Sequence, residues 1–489
     1  MQSQQQGTFF DIYKPSEQFY DEVFSMDGTV KPGYQHIFNH FKSLGREAFL
    51  KLFEEAKTSF FNQGITFAVY SDTENGTEKI FPFDLFPRII DAKEWDHIER
   101  GVIQRTQAIN QFIYDIYHDQ KILKDKVVPE ALIKSSKNFQ KTMMGFEPPG
   151  KIYCHISGTD IIRHSDGEYY VLEDNLRCPS GVSYVINNRI ALKRGLVGVF
   201  NKNKIHSVSD YPEQLLETLQ SVKPMNVDEP TCVVFTPGSF NSAYFEHAFL
   251  AQRMGIELVE GQDLKVDNDF VYMKTIRGPV KVDVIYRRVD DDFIDPEVFR
   301  KDSLLGVPGI MRAYQKGNVT LANAPGTGFA DDKAVYTYLP EIIKYYLDEE
   351  PILNNVRTYH CEKEDDYKYV MDNVDKLVVK PVDEAGGYGI TIGNQLTKEE
   401  VKAVQKRITE DRRKYIAQPI MSLSVHATYI EDSNVFEPRH VDLRTYTLFG
   451  DDKCHVLKGG LSRVALKKGN LIVNSSQGGG SKDTWVLRS

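Results

Sequence analysis

Long apolar runs, paired cysteines and an excess of basic charge are all missing from this 489-residue chain, and each absence removes a class of protein. No stretch approaches the roughly 18–20 apolar residues that cross a bilayer. The opening MQSQQQGTFF has neither the basic start nor the apolar centre of a secretion signal. The five cysteines, Cys154, Cys178, Cys232, Cys361 and Cys454, form no Cys-x-x-Cys pair. They read as reduced thiols of a cytoplasmic protein, not as a disulfide frame or a zinc site. Lysine and arginine number 60 against 69 aspartates and glutamates, a net charge of -9. Such a surface repels polyanions on average, so neither nucleic acid nor a membrane face is the expected partner. No Gly-x-Ser-x-Gly elbow or Cys/His pairing suggests a nucleophilic hydrolase. His155, His426, His440 and His455 show no metal-ligand spacing and read as structural or surface residues.

What is present is enough chain for two or three subdomains, each with its own core. Apolar residues recur at helical spacing over residues 33–62 and 92–145, with Ile103, Ile109, Phe112, Ile113 and Ile116 on one stripe. From Lys151 to Arg177 the pattern turns to a β-hairpin. Near Thr231 the run TCVVF, the turn TPGSFNS, the helical AYFEHAFLAQRMG and the strand-like IELVE make a β-loop-α-β unit. Helical text returns in DDKAVYTYLPEIIKYYL, and from residue 370 or so short strands dominate.

Three constellations carry chemistry. In TDIIRHSDGEYYVLEDN, Asp166-Gly167 predicts a two-residue hairpin loop. Paired residue numbers then sum to 333, so Asp160 lies opposite Glu173, and Asn175 points to the same face. Two carboxylates and an amide oxygen turned one way suit a hard cation such as Mg²⁺. A solvated hairpin face is the plainer alternative. In KLVVKPVDEAGGYGITIG, Lys380 ends a strand and Gly386, Gly387 and Gly389 follow it. Glycines admit phosphate oxygens to backbone N–H groups, and β-branched ITI after them fits a hairpin lid better than a Walker A loop. A glycine-rich structural hairpin remains the alternative. In the C-terminal strands, Asp442 and Arg444 share a face by period two, and Arg439, Arg463, Asn474, Gln477 and Lys482 lie nearby in sequence. Arginines there could neutralise charge growing on a transferred phosphoryl group, or form surface ion pairs.

Taken together, SGTDIIR, YYVLEDNLRCPSGVSY, NAPGTGFADDKAVY, VVKPVDEAGGYG, IAQPI, PRHVDLRTY and VNSSQGGGSKDTW resemble the circularly permuted ATP-grasp family, type 2, sometimes labelled glutathionylspermidine synthase-like. The resemblance implies an α+β/α/β protein with the ATP-grasp fold in permuted order. It also implies a mainly helical region over 1–150, the metal-ligand hairpin in 151–225, a Rossmann-like pre-ATP-grasp unit in 226–330 and nucleotide-binding strands in 331–489. It implies ATP and Mg²⁺ as cofactors, with Asp160, Glu173 and Asn175 as metal ligands and Lys333 and Lys380 as nucleotide lysines. Gln418 falls at the adenine hinge, where Pro419 replaces a common acidic residue. Arg444, Arg463 and Asn474 match phosphate and acyl-phosphate contacts.

The expected activity is ligation of a small-molecule or peptide carboxylate to an amine through an acyl phosphate, in the cytoplasm. A kinase on the same scaffold and a silent nucleotide-binding protein are the competing readings, and a protein partner that delivers peptides is a further expectation. Gln104, Arg105, Arg287, Arg288 and Asp290 are candidates for the acceptor pocket, with solvent-facing ion pairing at least as good an account of each.

Overall fold

The computed structural model describes residues 9–10, 13–69, 77–200, 204–382, 389–451, 453–471, 473 and 479–489. Strand β1 (Phe83–Ile90) precedes helix α1 (Ala92–Tyr117). The strands β2 (Ile156–Arg163) and β3 (Tyr169–Asn175) pair as a hairpin, and helix α2 (Val182–Gly195) follows. Next come β4 (Cys232–Phe235), α3 (Tyr244–Met254), β5 (Glu257–Val259), β6 (Val284–Arg287), β7 (Thr320–Ala322) and the one-turn helix α4 (Lys333–Tyr336). The remaining strands used below are β8 (Leu377–Pro381), β9 (Tyr415–Pro419), β10 (Val435–Arg444), β11 (Leu461–Val464) and β12 (Gly480–Val486).

The large sheet runs Asn354–Asn355, β3, β2, β10, β11, β12, β1. Its most consequential detail is the hairpin. His164 N–H donates to the Glu168 carbonyl (2.9 Å) and Gly167 N–H to the His164 carbonyl (2.9 Å), so the loop has three residues, not the expected two. Gly167 takes φ +87°, as that loop type requires of its last residue. The longer loop slips the register by one, pairing Arg163 with Tyr169 and Ile161 with Val171. An irregularity between Asp160 and Ile161 leaves Leu172 as the extra residue and restores it. Asp160 therefore faces Glu173, and Gly158 faces Asn175, as the sequence suggests but by a different route.

A second sheet is wholly parallel, ordered β7-β6-β4-β5, which is the expected Rossmann-like unit around Cys232–Val259. The third has Tyr359–His360, β9, β8 and Thr391–Ile392 in that order. Leu377 and Val379 of β8 pack with Val404 and Ile408 of the helix Lys398–Glu410, which leaves Val378 and Lys380 on the other face.

Several elements escape the sequence reading, among them the strand pair Thr66–Val69 and Thr77–Ile80 and the helix Tyr211–Ser221, and two more show why. The first is β1, seven of whose eight residues are buried without alternation, inside a region read as mainly helical. The second is the helix Lys398–Glu410 among supposed strands, although Thr397 and Glu400 form a capping box at its start. α1 follows expectation: Asp91 caps it by accepting from Lys93 N and Glu94 N, and its Ile109, Phe112, Ile113 and Ile116 are buried. Among the described residues no helix is long and apolar enough to cross a membrane.

Candidate nucleotide and metal site

Cross-strand pairing sets out the site. Glu173 on β3 faces Asp160 on β2, which faces Arg444 on β10; two pairs along, Asp442 on β10 faces Arg463 on β11. Directly opposed residues project to one face and Asp442 lies two residues from Arg444 on β10, so these five side chains, contributed by segments some 270 residues apart, form one charged row. Arg444 grips Asp160 through both oxygens, Nε to Oδ1 at 2.6 Å and Nη2 to Oδ2 at 2.8 Å. Arg463 Nη2 reaches the same Oδ2 at 2.8 Å, and its Nε reaches Asp442 Oδ1 at 2.9 Å. Burial alone would raise the Asp160 carboxyl, but Arg444 and Arg463 overcome it and hold the group well below its ordinary range. Asp442 goes the other way, because burial outweighs its single arginine and the Asp160 charge adds to the effect.

The lysines close the row from the third sheet and from α4. Lys333 stands 3.3 Å from Glu173, and its backbone N–H donates to Val382 O (3.1 Å) at the end of β8. Lys380 projects from β8 and donates to Gln418 Oε1 at 2.6 Å. Burial pushes the Lys380 ammonium down to about 8, with Glu173 opposing, Lys333 assisting and Asp160 opposing more weakly. Gln418 has both amide atoms committed, since its Nε2 donates to Thr358 Oγ1 (2.9 Å). Gly389 takes φ +69° against Pro381, whose Cγ would lie 2.7 Å from an added Cβ. Gly386, Gly387, Asn474 and Gln477 lie outside the described residues.

Asn175 donates through Nδ2 to Gly158 O (3.2 Å), which turns its Oδ1 away as an acceptor. The donor set of Glu173, Asp160 and Asn175 is all oxygen, which fits Mg²⁺ in chemistry, but both Asp160 oxygens are shared with Arg444 and Arg463, so Glu173 is the more open of the two carboxylates. The set is not a finished cage: among the described residues no three His, Cys, Asp or Glu side chains converge on one point. Mg²⁺ suits such a partial set, because it keeps waters and takes further oxygens from phosphates.

Several sequence candidates are structural instead. Arg105 is buried against Asp174 (2.5 Å) and Asn355 Oδ1 (2.6 Å), while Gln104 bonds Glu349 and Glu350. Arg287 spends its donors on the carbonyls of Val289, Asn323 and Ala324 and pairs with Asp291. Lys482 is fully buried on the opposite face of the large sheet, and Arg439 pairs with Glu437. Arg288 ties the Rossmann-like unit to the hairpin exit through Pro179 O (2.9 Å), Ser180 Oγ (2.5 Å) and Glu246 (3.2 Å). Asn323, missed although it opens the run NAPGTG, is the main clamp. Its Oδ1 accepts from His155 N and Ile156 N, both at 2.7 Å, and its Nδ2 donates to the Ile156, Leu176 and Arg177 carbonyls.

The chain is similar over most of its length to several known proteins. An uncharacterized protein of Synechocystis sp. is 52% identical over 476 residues, 97% of this chain and 98% of that protein. A Frankia alni protein provisionally named glutamate--cysteine ligase 2-3 is 39% identical over 479 residues. The alignment takes in 97% of this chain but 54% of that protein, so its name describes a longer molecule. A glutathione synthetase like-effector of Globodera pallida shares the fold at TM-score 0.59 and 11% identity, over 91% of this chain and 98% of that one. The family model for circularly permuted ATP-grasp type 2 matches residues 87–465, and the chain belongs to that family.

Proposed function

We propose that this protein is a ligase that spends ATP to join a carboxylate to an amine, with Asp160, Glu173 and Asn175 as its Mg²⁺ ligands. The observation that carries the reading is the single row of Glu173, Asp160, Arg444 and Arg463, with Lys333 at 3.3 Å from Glu173 and bonded through its backbone to Val382, two residues after Lys380. Four cations and a partial set of hard oxygen donors match a metal-bound triphosphate better than any smaller anion. Among the described residues the row contains no protein nucleophile, which fits a reaction in which the substrates supply every reacting atom.

In the proposed sequence a substrate carboxylate oxygen attacks the γ-phosphorus, the bond from that phosphorus to the β–γ bridging oxygen breaks, and ADP departs. An amine nitrogen then attacks the acyl carbon, the carbon–oxygen bond to phosphate breaks, and the nitrogen loses a proton. Bound Mg²⁺ would supply charge neutralisation at the phosphate oxygens. Lys380 and Lys333 bind phosphate charge, and Arg444 and Arg463 face the oxygens that gain charge as the acyl phosphate forms. Asp160 holds both guanidinium planes in place before substrate arrives, so little reorganisation is needed.

The test is ADP release from Mg-ATP with pooled carboxylates, with hydroxylamine present to trap an acyl phosphate as a hydroxamate. Hydroxamate in step with ADP supports ligation. A stable phosphoester formed without amine consumption would select a kinase, and nucleotide binding without turnover would select a silent binder.

A further inference from the structure

Arg177 leaves the hairpin two residues after Asn175 and is held at three points. Its carbonyl accepts from Asn323 Nδ2 at 3.2 Å, and its Nε donates to Asp331 Oδ2 at 3.0 Å. Its aliphatic stem lies on Gly328, where an added Cβ would sit 2.7 Å from Arg177 Cδ. Beyond Nε the fork is free: neither Nη atom has a partner among the described residues, and the side chain is 27% exposed. Asp331, and at longer range Asp290, keep the guanidinium charged against burial. Arg444 and Arg463, by contrast, are occupied by Asp160 and Asp442.

The segment packed beside this stretch of chain carries an unused carboxylate. Asp290 follows β6, is exposed, and precedes the short helix Asp291–Ile294 without bonding its backbone. No ion pair joins it to Arg177, although Cys178 meets Arg287 O and Arg288 bonds Pro179 O, which brings the two segments together. The setting is the place where parallel sheets bind ligands. From β4 the chain goes to β5 on one side and to β6 on the other, so the switch point lies between the carboxyl ends of β4 and β6. Cys178 donates to Arg287 O (3.7 Å), which lays the residue after Arg177 directly over the end of β6.

Resting on the ligase reading above, we propose that Arg177 and Asp290 hold the α-carboxylate and α-ammonium of an amino-acid substrate over the carboxyl end of β6. A planar fork suits a carboxylate bidentately, and a separate anion suits an ammonium. With both α groups held, only the side chain is left to react. Because the metal hairpin is two residues away, the substrate class is an acidic α-amino acid, activated at its side-chain carboxylate.

The probes are L-glutamate and L-aspartate, with N-acetyl-L-glutamate, L-glutamate α-amide and glutarate as controls, in the ADP-release and hydroxamate assay on the whole chain. One of the two amino acids should form a side-chain hydroxamate, and each control should be weaker by about 30-fold or more, as expected when a charged partner is left unpaired. Arg177→Lys keeps the charge and loses the fork; its amino-acid KM should rise about 30-fold relative to its ATP KM. Asp290→Asn should raise the amino-acid KM about tenfold and erase the preference over the N-acetyl form. Melting temperatures of both variants verify folding. Controls that work as well as the amino acids, or an Arg177→Lys change equal for both substrates, overturn the proposal. Turnover with other carboxylates but neither amino acid overturns it and leaves the ligase reading standing, whereas failure to bind Mg-ATP defeats that reading itself.

Discussion

Each face of the large sheet carries buried arginines, lysines and carboxylates, and the two sets differ in completeness. On the back face, Lys482 spends its three donors on Asp84 (2.5 Å), Phe86 O (3.2 Å) and Ala427 O (3.0 Å), at 0% exposure. Arg88, also at 0%, is committed to Glu22 through two nitrogens and to Asp442 O. On the front face, Glu173 keeps 23% of its surface and Arg444 15%, and Glu173 has one lysine at 3.3 Å. Complete satisfaction marks a strut, because nothing is left for a ligand. Partial satisfaction with retained exposure marks a place where a ligand finishes the network.

That comparison can be broken. Glu173→Gln should lower carboxylate-dependent ADP release by about a thousandfold or more, as for loss of a group needed in the transition state, while thermal unfolding stays within about 2 °C of the parent. A large drop in melting temperature would make the front face a strut as well. Lys482→Ala strands Asp84 in the interior and should destabilise by about 3–5 kcal/mol, read by chemical denaturation. A loss below about 1 kcal/mol would remove the contrast.

A sharper division comes from pH. Free Lys380, pushed down to about 8 chiefly by burial, loses its proton as pH rises through that value, whereas a bound triphosphate favours the charged form. Mg-ATP affinity should therefore fall about tenfold between pH 7.5 and 9. Lys380→Arg should flatten the profile, since arginine stays charged throughout; the same slope in both proteins would dissociate Lys380 from the nucleotide. The smallest effect expected is Thr397→Ala, which removes one half of a capping box remote from the row and should cost about 1 kcal/mol with turnover unchanged.

The sequence exposes much of this site because its key geometry is local. Period two places Asp442 with Arg444, and a hairpin places Asp160 opposite Glu173. Even there the agreement rests on cancellation, since the three-residue loop shifts the register and Leu172 shifts it back. Faces are legible and their sidedness is not: Lys482 is one residue from Ser481, which pairs with Arg463, so alternation turns it to the back. Arg105 and Arg287 carry the same charge as Arg444, and only three-dimensional partners show them spent. β1 hides because a strand covered on both sides shows no alternation, which periodicity cannot separate from a buried helix.

The pairing of Asp160 with Arg444 and Arg463 also has a temporal side. At roughly 5–20 residues per second, ribosomes need on the order of 15–60 seconds to go from the hairpin to these arginines. For that interval Asp160 lacks its counter-charge and β2 lacks its neighbour β10. Half-made chains therefore gain neither a closed sheet nor a grip on nucleotide, and competence arrives in the same late event as tertiary closure.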